Sequence, residues 1–212
     1  MKLIVFGASG RTGSELAGRA LAAGHDVTAV VRGPARLAGS LGEARIITIP
    51  VIDGSGVLLA ALQGQDVVFS ALGPRGRTNA GIIAPLTRSI TDAMRLTGVR
   101  RLIVISAAPV GPAPVGDPFV LRAIVTPIVK RVYRDTYTDL AVMEQELAQT
   151  DLDWIVVRPP RLTTVPPRGE YRTALDAGLR GGTSIGRADL AEAMLGLAQD
   201  SHAVRHAVTV AY

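Results

Sequence analysis

Short apolar segments rich in β-branched residues recur along the chain. They show little alternation between polar and apolar positions, which is typical of strands covered on both faces. The segments are 2–6, 26–31, 45–49, 66–72, 101–106, 153–157 and 206–211. Segments with a helical pattern lie between them, near 11–23, 55–63, 83–97, 136–149 and 187–199. This alternation predicts an α/β fold with a parallel sheet and right-handed crossovers.

Two regions interrupt the alternation. Residues 109–118 read PVGPAPVGDP and are predicted to be loop. Residues 159–185 contain two proline pairs, Pro159–Pro160 and Pro166–Pro167. We interpret 1–212 as one domain in which 109–135 and 159–185 form a small additional layer, which we call the substrate-side layer.

Composition narrows the chemistry. The chain has 212 residues, of which 48% are hydrophobic, and these values suit one folded domain. It contains no cysteine, which excludes disulfides, thiolate zinc sites and a cysteine nucleophile. The His, Asp and Glu residues show no spacing typical of metal ligands, so we predict no metal site.

Charge and hydropathy bear on partners. The net charge is +5 and comes from scattered arginines, which indicates an anionic cofactor or substrate better than it indicates a nucleic acid. No stretch approaches the roughly 20 apolar residues of a membrane span, and the apolar start is too short for a signal peptide. We therefore expect a cytoplasmic protein without membrane or nucleic-acid partners.

A glycine pattern follows the first strand directly and opens the first helix. The segment GASGRTG, residues 7–13, places Gly7, Gly10 and Gly13 three residues apart. In this setting the glycines allow a tight turn, a close approach to a pyrophosphate and close packing of helix on strand. The fold predicted is therefore a Rossmann doubly wound parallel sheet. Other cofactor contacts predicted in this loop are Ser9, Arg11 and Thr12.

The end of the second strand indicates which nucleotide is bound. An NAD site would carry Asp or Glu about 20 residues after the glycines, to bind the ribose hydroxyls. This chain has Arg32 at that place and Arg36 four residues on. A guanidinium can bind a 2′-phosphate and stack on adenine, so we predict NADP(H). The alternative for Arg32 is a solvated strand end.

The fourth strand ends at the same predicted crevice. It continues into SALGPRG, residues 70–76. We expect Gly73 to let the chain pass close to the cofactor. Further predicted cofactor contacts in this segment are Leu72 and Arg75.

Longer motifs along the whole chain resemble those of the atypical short-chain dehydrogenase/reductases. The resemblance is to their NAD(P)H-binding branch, which includes biliverdin-IXβ reductase (flavin reductase) and NmrA-like proteins. The matching segments are GASGRTG (7–13), VVRGPARL (30–37), ALG (71–73), ISA (105–107), MEQELAQTDLDWIVVRPPRL (143–162), GEYR (169–172) and IGRADLAEAML (185–195).

The resemblance implies hydride transfer between a nicotinamide and a bound electron acceptor. It places Ser106, Ala107 and Pro159 beside the nicotinamide. Ser106 would bind the carboxamide or donate to a substrate carbonyl, the alternative being a local backbone bond. Arg161 stands where biliverdin-IXβ reductase carries a histidine, and we interpret it as a clamp for an anionic acceptor. Ser106 and Arg161 are thus the candidate catalytic residues.

The chain also departs from its relatives. Typical short-chain dehydrogenases carry Tyr-x-x-x-Lys, but here Tyr137 is followed by Ala141, and Tyr133 by Tyr137. The usual Gly-Asp after the third strand is absent, which leaves Ile52 to line the adenine pocket. Asp189 is interpreted as a structural carboxylate that binds the free N–H groups of its own helix.

Three functions remain open at this point. The first is an NADPH-dependent reductase that transfers hydride to a flavin, a quinone or a tetrapyrrole-like acceptor. The second is a non-catalytic NADP(H) sensor of NmrA type that binds a regulatory protein. The third is an epimerase- or dehydratase-like enzyme. The resemblance further implies a monomer or a weak dimer.

Overall fold

The computed structural model describes residues 1–33, 42, 44–50, 52, 56–73, 81–114, 116 and 131–212. Its strands are β1 Lys2–Phe6, β2 Asp26–Val31, β3 Arg45–Thr48, β4 Val67–Ser70, β5 Arg101–Ile105, β6 Asp153–Arg158, β7 Arg161–Thr163, β8 Arg172–Leu175, β9 Ser184–Gly186 and β10 His206–Ala211. Its helices are α1 Arg11–Ala22, α2 Gly56–Leu62, α3 Ile83–Thr97, α4 Arg134–Ala148 and α5 Arg187–Leu197, with a 3₁₀ turn at Ala108–Val110.

Eight strands form one twisted sheet in the order β3-β2-β1-β4-β5-β6-β10-β8. Every pairing is parallel except that of β8 with β10. The chain runs outward from β1 to β3 and then returns to place β4 on the other side of β1. The predicted doubly wound fold is confirmed, and its topological switch point lies between the carboxyl ends of β1 and β4.

The short strands β7, β8 and β9 were not predicted individually. They lie within the predicted substrate-side layer, where β7 and β9 form a separate parallel pair. The proline pair ends strand β6, as expected for residues that have no N–H to donate to a neighbouring strand. The chain then resumes at once as β7, so the Arg-Pro-Pro-Arg corner joins the two sheets.

Successive strand residues point to opposite faces of the sheet and fill two cores. Val5 and Val157 belong to the core under α1 and α5. Phe6 and Val156 belong to the core under α2, α3 and α4. Burial on both faces explains why these strands are almost uninterrupted apolar runs. No described helix is long and apolar enough to cross a membrane.

A buried carboxylate on α4 caps the N-terminus of α3. The Ile82 side chain at the N-cap of α3 cannot accept a hydrogen bond, so the first N–H groups need another partner. Asp139 accepts the Ile83 N–H at 2.7 Å and the Ala84 N–H at 3.0 Å. This contact fixes the start of α3 against α4.

A second buried carboxylate fastens the substrate-side layer. Gly186 is the N-cap of α5. Asp189 accepts the N–H groups of Arg168 at 2.9 Å and Gly169 at 3.0 Å, and the Tyr212 hydroxyl at 2.5 Å. The prediction that it binds the N–H groups of its own helix was therefore wrong, because the loop and Tyr212 supply closer donors.

The Asp189 contacts predict an acid limb, which is a fall in the free energy of unfolding as the pH is lowered. Burial would raise the pKa of Asp189, but hydrogen bonds from Tyr212, Arg168 and Gly169 outweigh it and lower the pKa below the ordinary value. A carboxyl with a lowered folded-state pKa contributes stability above its unfolded pKa, near 3.9, and loses it as pH falls through the folded value. We expect Tyr212→Phe to flatten the loss of unfolding free energy below about pH 5, measured by urea unfolding.

The matched control is Tyr133→Phe, since Tyr133 is an exposed tyrosine. It should leave the acid limb as in the wild type. An unchanged acid limb in Tyr212→Phe would contradict the assignment.

Candidate nucleotide site

The glycine loop holds β1, β4 and α1 together at the switch point. Gly7 has φ +80°, and a Cβ there would lie 2.7 Å from the Ala71 carbonyl oxygen after β4. A Cβ on Gly13 would lie less than 3.0 Å from the Gly7 carbonyl oxygen. A Cβ on Gly10 would meet that oxygen at 3.2 Å, a tight contact. The turn and packing roles predicted for Gly7 and Gly13 thus follow from the geometry.

The first turn of α1 presents uncapped N–H groups. Gly10 is its N-cap and has no side chain to accept them. Such a terminus carries a partial positive charge and attracts phosphate. The predicted contacts Ser9 and Arg11 are exposed at this terminus, and Thr12 is half-buried. The structure therefore brings these loop residues together around one anion-binding position.

A second arginine at this edge was not predicted. Arg187 is the first residue of α5, and the positive charge of Arg11 acts on it. Burial, followed by repulsion from Arg11, lowers the pKa of Arg187. No carboxylate among the described residues pairs with either guanidinium. The sequence does hold a signal for it, since both helices begin with Gly-Arg, at Gly10–Arg11 and at Gly186–Arg187.

The remaining predicted cofactor contacts lie around the crevice with different burial. Arg32 is exposed immediately after β2, and Ile52 is 7% exposed within the core beneath β3. Leu72 is half-buried after β4, and Gly73 is exposed with open space around its Cα. Arg36 and Arg75 lie outside the residues that the structure describes.

Ser106 is buried after β5 and makes a side-chain contact that sequence reasoning missed. Its hydroxyl donates to Glu144 Oε1 on α4 at 2.5 Å. Arg158, the last residue of β6, donates Nε–H to the same oxygen at 3.1 Å and Nη2–H to Oε2. The Glu144 and Arg158 side chains are 12% and 14% exposed. We call Ser106, Glu144 and Arg158 the serine network.

The two arginines of the Arg-Pro-Pro-Arg corner have different surroundings. Arg158 binds Glu144 and helps to hold the pKa of Asp176 below its ordinary value, although burial of Asp176 acts first and in the opposite direction. A Cβ on Gly111 would lie 2.7 Å from Arg158 Nη1, so the 3₁₀ turn covers the guanidinium. Arg161 is exposed at the start of β7, and no described carboxylate pairs with it.

Backbone bonds position the residues beside the corner. Ser106 donates its N–H to the Val157 carbonyl at 2.7 Å, and Ala108 donates to the Pro159 carbonyl at 2.8 Å. Pro159 is buried and Ala107 is half-buried. The ends of β5 and β6 are thereby locked side by side, with the predicted nicotinamide contacts on them.

The tyrosines of α4 do not reproduce a short-chain dehydrogenase dyad. Tyr137 is half-buried against the core, and burial followed by the nearby Tyr133 raises its pKa. The dyad requires a lysine that favours the ionised tyrosine, which is the opposite direction. Tyr133 is 47% exposed, and its ring centroid lies 6.0 Å from that of Tyr137. Tyr137 therefore packs against the core, whereas Tyr133 is largely exposed.

A mixed cavity of about 370 Å³ lies beside the serine network, between α4 and the strands β6 and β10. Glu144 and Arg158 form part of its wall, together with Trp154, Asp176 and Ala207. Among the described residues no group of three His, Cys, Asp or Glu side chains could hold a metal ion. The groups that could bind a ligand at this edge of the sheet are therefore backbone N–H groups, guanidinium groups and hydroxyls.

The switch point, the glycine loop and the uncapped α1 terminus define a dinucleotide-binding protein of the doubly wound class. The family model described as NAD(P)H-binding matches residues 7–201. The chain therefore belongs to this NAD(P)H-binding family, which confirms the predicted family and a nicotinamide cofactor.

Solved structures of similar fold cover nearly the whole chain. The "putative exported protein" of Burkholderia pseudomallei is 28% identical, with full coverage of both chains and a TM-score of 0.80. ChuY, an anaerobillin reductase of Escherichia coli O157:H7, is 20% identical over 100% of this chain and 97% of its own, with a TM-score of 0.79. SP1627 of Streptococcus pneumoniae TIGR4, a "putative NADH-flavin reductase", is 21% identical over 100% and 99%, with a TM-score of 0.82.

A methyl group added at two glycines of the crevice should have different effects on the free energy of unfolding. Gly13→Ala places its Cβ against the Gly7 carbonyl and must separate α1 from β1, whereas a Cβ at residue 73 meets no atom of the described residues within 4 Å. We expect Gly13→Ala to lower the free energy of unfolding by about 1–3 kcal/mol or more, as overpacking does, in urea unfolding monitored by circular dichroism. Gly73→Ala is the matched control and should stay within about 0.5 kcal/mol of the wild type. Equal stability of the two variants would contradict this geometry.

Proposed function

We propose that the protein is an NADPH-dependent oxidoreductase that transfers hydride to a small planar or anionic acceptor of the flavin, quinone or tetrapyrrole class. The observation that carries the proposal is the uncapped α1 terminus beside Arg11 and Arg187, in a chain of the NAD(P)H-binding family. A dinucleotide pyrophosphate would accept the α1 N–H groups and be neutralised by the two guanidiniums.

The preference for NADP(H) over NAD(H) rests on the end of β2. Arg32 is exposed there, and no carboxylate stands at the position that would bind ribose hydroxyls. A guanidinium can bind a 2′-phosphate through two parallel hydrogen bonds. Arg36 is the second candidate for this phosphate from the sequence pattern.

The acceptor class follows from what the site can supply. A flavin, quinone or tetrapyrrole accepts hydride and takes its proton on its own heteroatom or from solvent, so the protein mainly supplies positioning. Exposed Arg161 would bind a carboxylate or phosphate on the acceptor. The names of the two reductases of similar fold support the same class.

The alternative is an NADP(H) sensor that binds a regulatory protein. It is favoured by one specific observation, that the Ser106 hydroxyl is already bound to Glu144. A sensor needs the cofactor loop but no group that acts on an acceptor.

Turnover separates the two functions. The purified protein is mixed with NADPH and FMN or dichlorophenolindophenol, and the nicotinamide absorbance is followed. We expect acceptor-dependent oxidation of NADPH, with Arg161→Ala raising the KM for FMN more than that for an uncharged quinone. The control is Arg45→Ala, an exposed arginine at the start of β3, at the opposite edge of the sheet. NADPH binding without turnover on any acceptor would favour the sensor.

The cofactor preference has its own test. Arg32→Asp should weaken NADPH binding about 10- to 100-fold, since a charge-assisted hydrogen bond contributes roughly 1.5–3 kcal/mol, and should change NADH binding little. Titration of tryptophan fluorescence or calorimetry gives both dissociation constants. Arg45→Asp makes the same charge change away from the site. Equal losses for the two cofactors in Arg32→Asp would exclude the 2′-phosphate contact.

A further inference from the structure

We propose that Ser106 serves the nicotinamide as a hydrogen-bond acceptor and not as a proton donor, because Glu144 already takes its hydroxyl proton. The serine would then receive an N–H of the nicotinamide carboxamide, with Glu144 and Arg158 as positioning residues. This inference rests on the proposed binding of a nicotinamide cofactor at this edge. It decides between the two roles that the sequence left open for Ser106.

The direction of the Ser106–Glu144 hydrogen bond follows from the contacts of the carboxylate. Both Glu144 oxygens accept N–H donors from Arg158. An ionised carboxylate has no proton to give, so the 2.5 Å contact with Ser106 uses the serine proton. A serine hydroxyl carries one proton and two lone pairs, so only lone pairs remain for the cofactor.

The serine network is held in place from several sides. Ser106 is 6% exposed, and its backbone N–H donates to the Val157 carbonyl at 2.7 Å. The Arg158 guanidinium lies beneath Gly111 of the 3₁₀ turn. Rotating the hydroxyl away from Glu144 would leave a buried carboxylate oxygen with one donor fewer, which is unfavourable. The acceptor state of Ser106 is therefore fixed before the cofactor binds.

The nicotinamide ring has a single group that can satisfy such an acceptor. Its carboxamide carries an NH₂, while the ring itself has no N–H in either oxidation state. A serine oxygen that only accepts would select the carboxamide rotamer with NH₂ toward β5. The ring would thus be oriented, and the proton that follows hydride onto the acceptor must come from the acceptor's surroundings and not from Ser106.

The test compares NADP⁺ with its 3-acetylpyridine analogue, in which a methyl group replaces the carboxamide NH₂. Dissociation constants are measured by calorimetry for each protein variant. We expect the wild type to prefer NADP⁺ by about three- to tenfold, the range for one neutral hydrogen bond, and Ser106→Ala to lose this preference. Ser106→Thr keeps the hydroxyl and should restore it.

Glu144→Gln adds a test of the network. A glutamine N–H can donate to Ser106 Oγ and release the serine proton, so the preference for NADP⁺ should shrink or invert. Glu146→Gln is the matched control, because Glu146 on the same helix pairs with the exposed Arg88 of α3 and not with Ser106. It should keep the wild-type preference.

The results separate failure of this inference from failure of the proposed function. Tight NADP⁺ binding with equal affinity for the analogue, or a preference retained in Ser106→Ala, would overturn the acceptor role alone. Failure of the wild type to bind either dinucleotide would overturn the proposed function and the inference together. The Ser106→Ala and Ser106→Thr pair suffices if Glu144→Gln does not fold.

Discussion

The close approach of Gly13 to the carbonyl of Gly7 sets the geometry of the whole candidate site. Because residue 13 has no Cβ, α1 can begin directly against the end of β1 with its first N–H groups at the crevice. Helix α5 packs beside α1, and Arg19 joins it through Glu192 at 3.1 Å. Arg11 and Arg187 are the first residues of these two helices.

Most strands of the central sheet could be predicted because they are buried on both faces, although β3 is largely exposed and β8 was not predicted. Apolar runs such as 2–6 and 101–106 have few other stable arrangements. The strands β7, β8 and β9 have three or four residues each and include exposed positions, so their pattern is too weak to predict them. This region is also held by long-range contacts of Asp189 and Tyr212, which no local spacing reveals.

The same distinction explains which site residues were predicted. The glycine loop is a contiguous motif of seven residues, and its spacing alone is enough to predict the turn. Glu144 lies in MEQELAQ, whose charges read as an ordinary solvated helix face. Its role arises only when β6 brings Arg158 beside α4, and this contact is tertiary. Asp189 was predicted as a structural carboxylate, yet its actual partners lie about 20 residues away in the chain and at its end.

In the proposed reductase, the serine network would make a Tyr-x-x-x-Lys pair unnecessary. Tyr137, Ala141 and Glu144 follow each other at helical spacing on one side of α4. The lysine position is alanine, and the charged group on this side is instead a carboxylate one turn further along. A lysine there would add a positive charge to the proposed site. The charge of Glu144 is instead balanced by Arg158, and Glu144 acts on Ser106 only by accepting the proton of its hydroxyl. Arg11 and Arg187 add positive charge where α1 and α5 begin, and repulsion from Arg11 follows burial in lowering the pKa of Arg187. In the proposed reductase, Arg11 and Arg187 would bind the cofactor phosphates and the serine network would orient the nicotinamide. This division suits an acceptor that takes its proton on its own heteroatom.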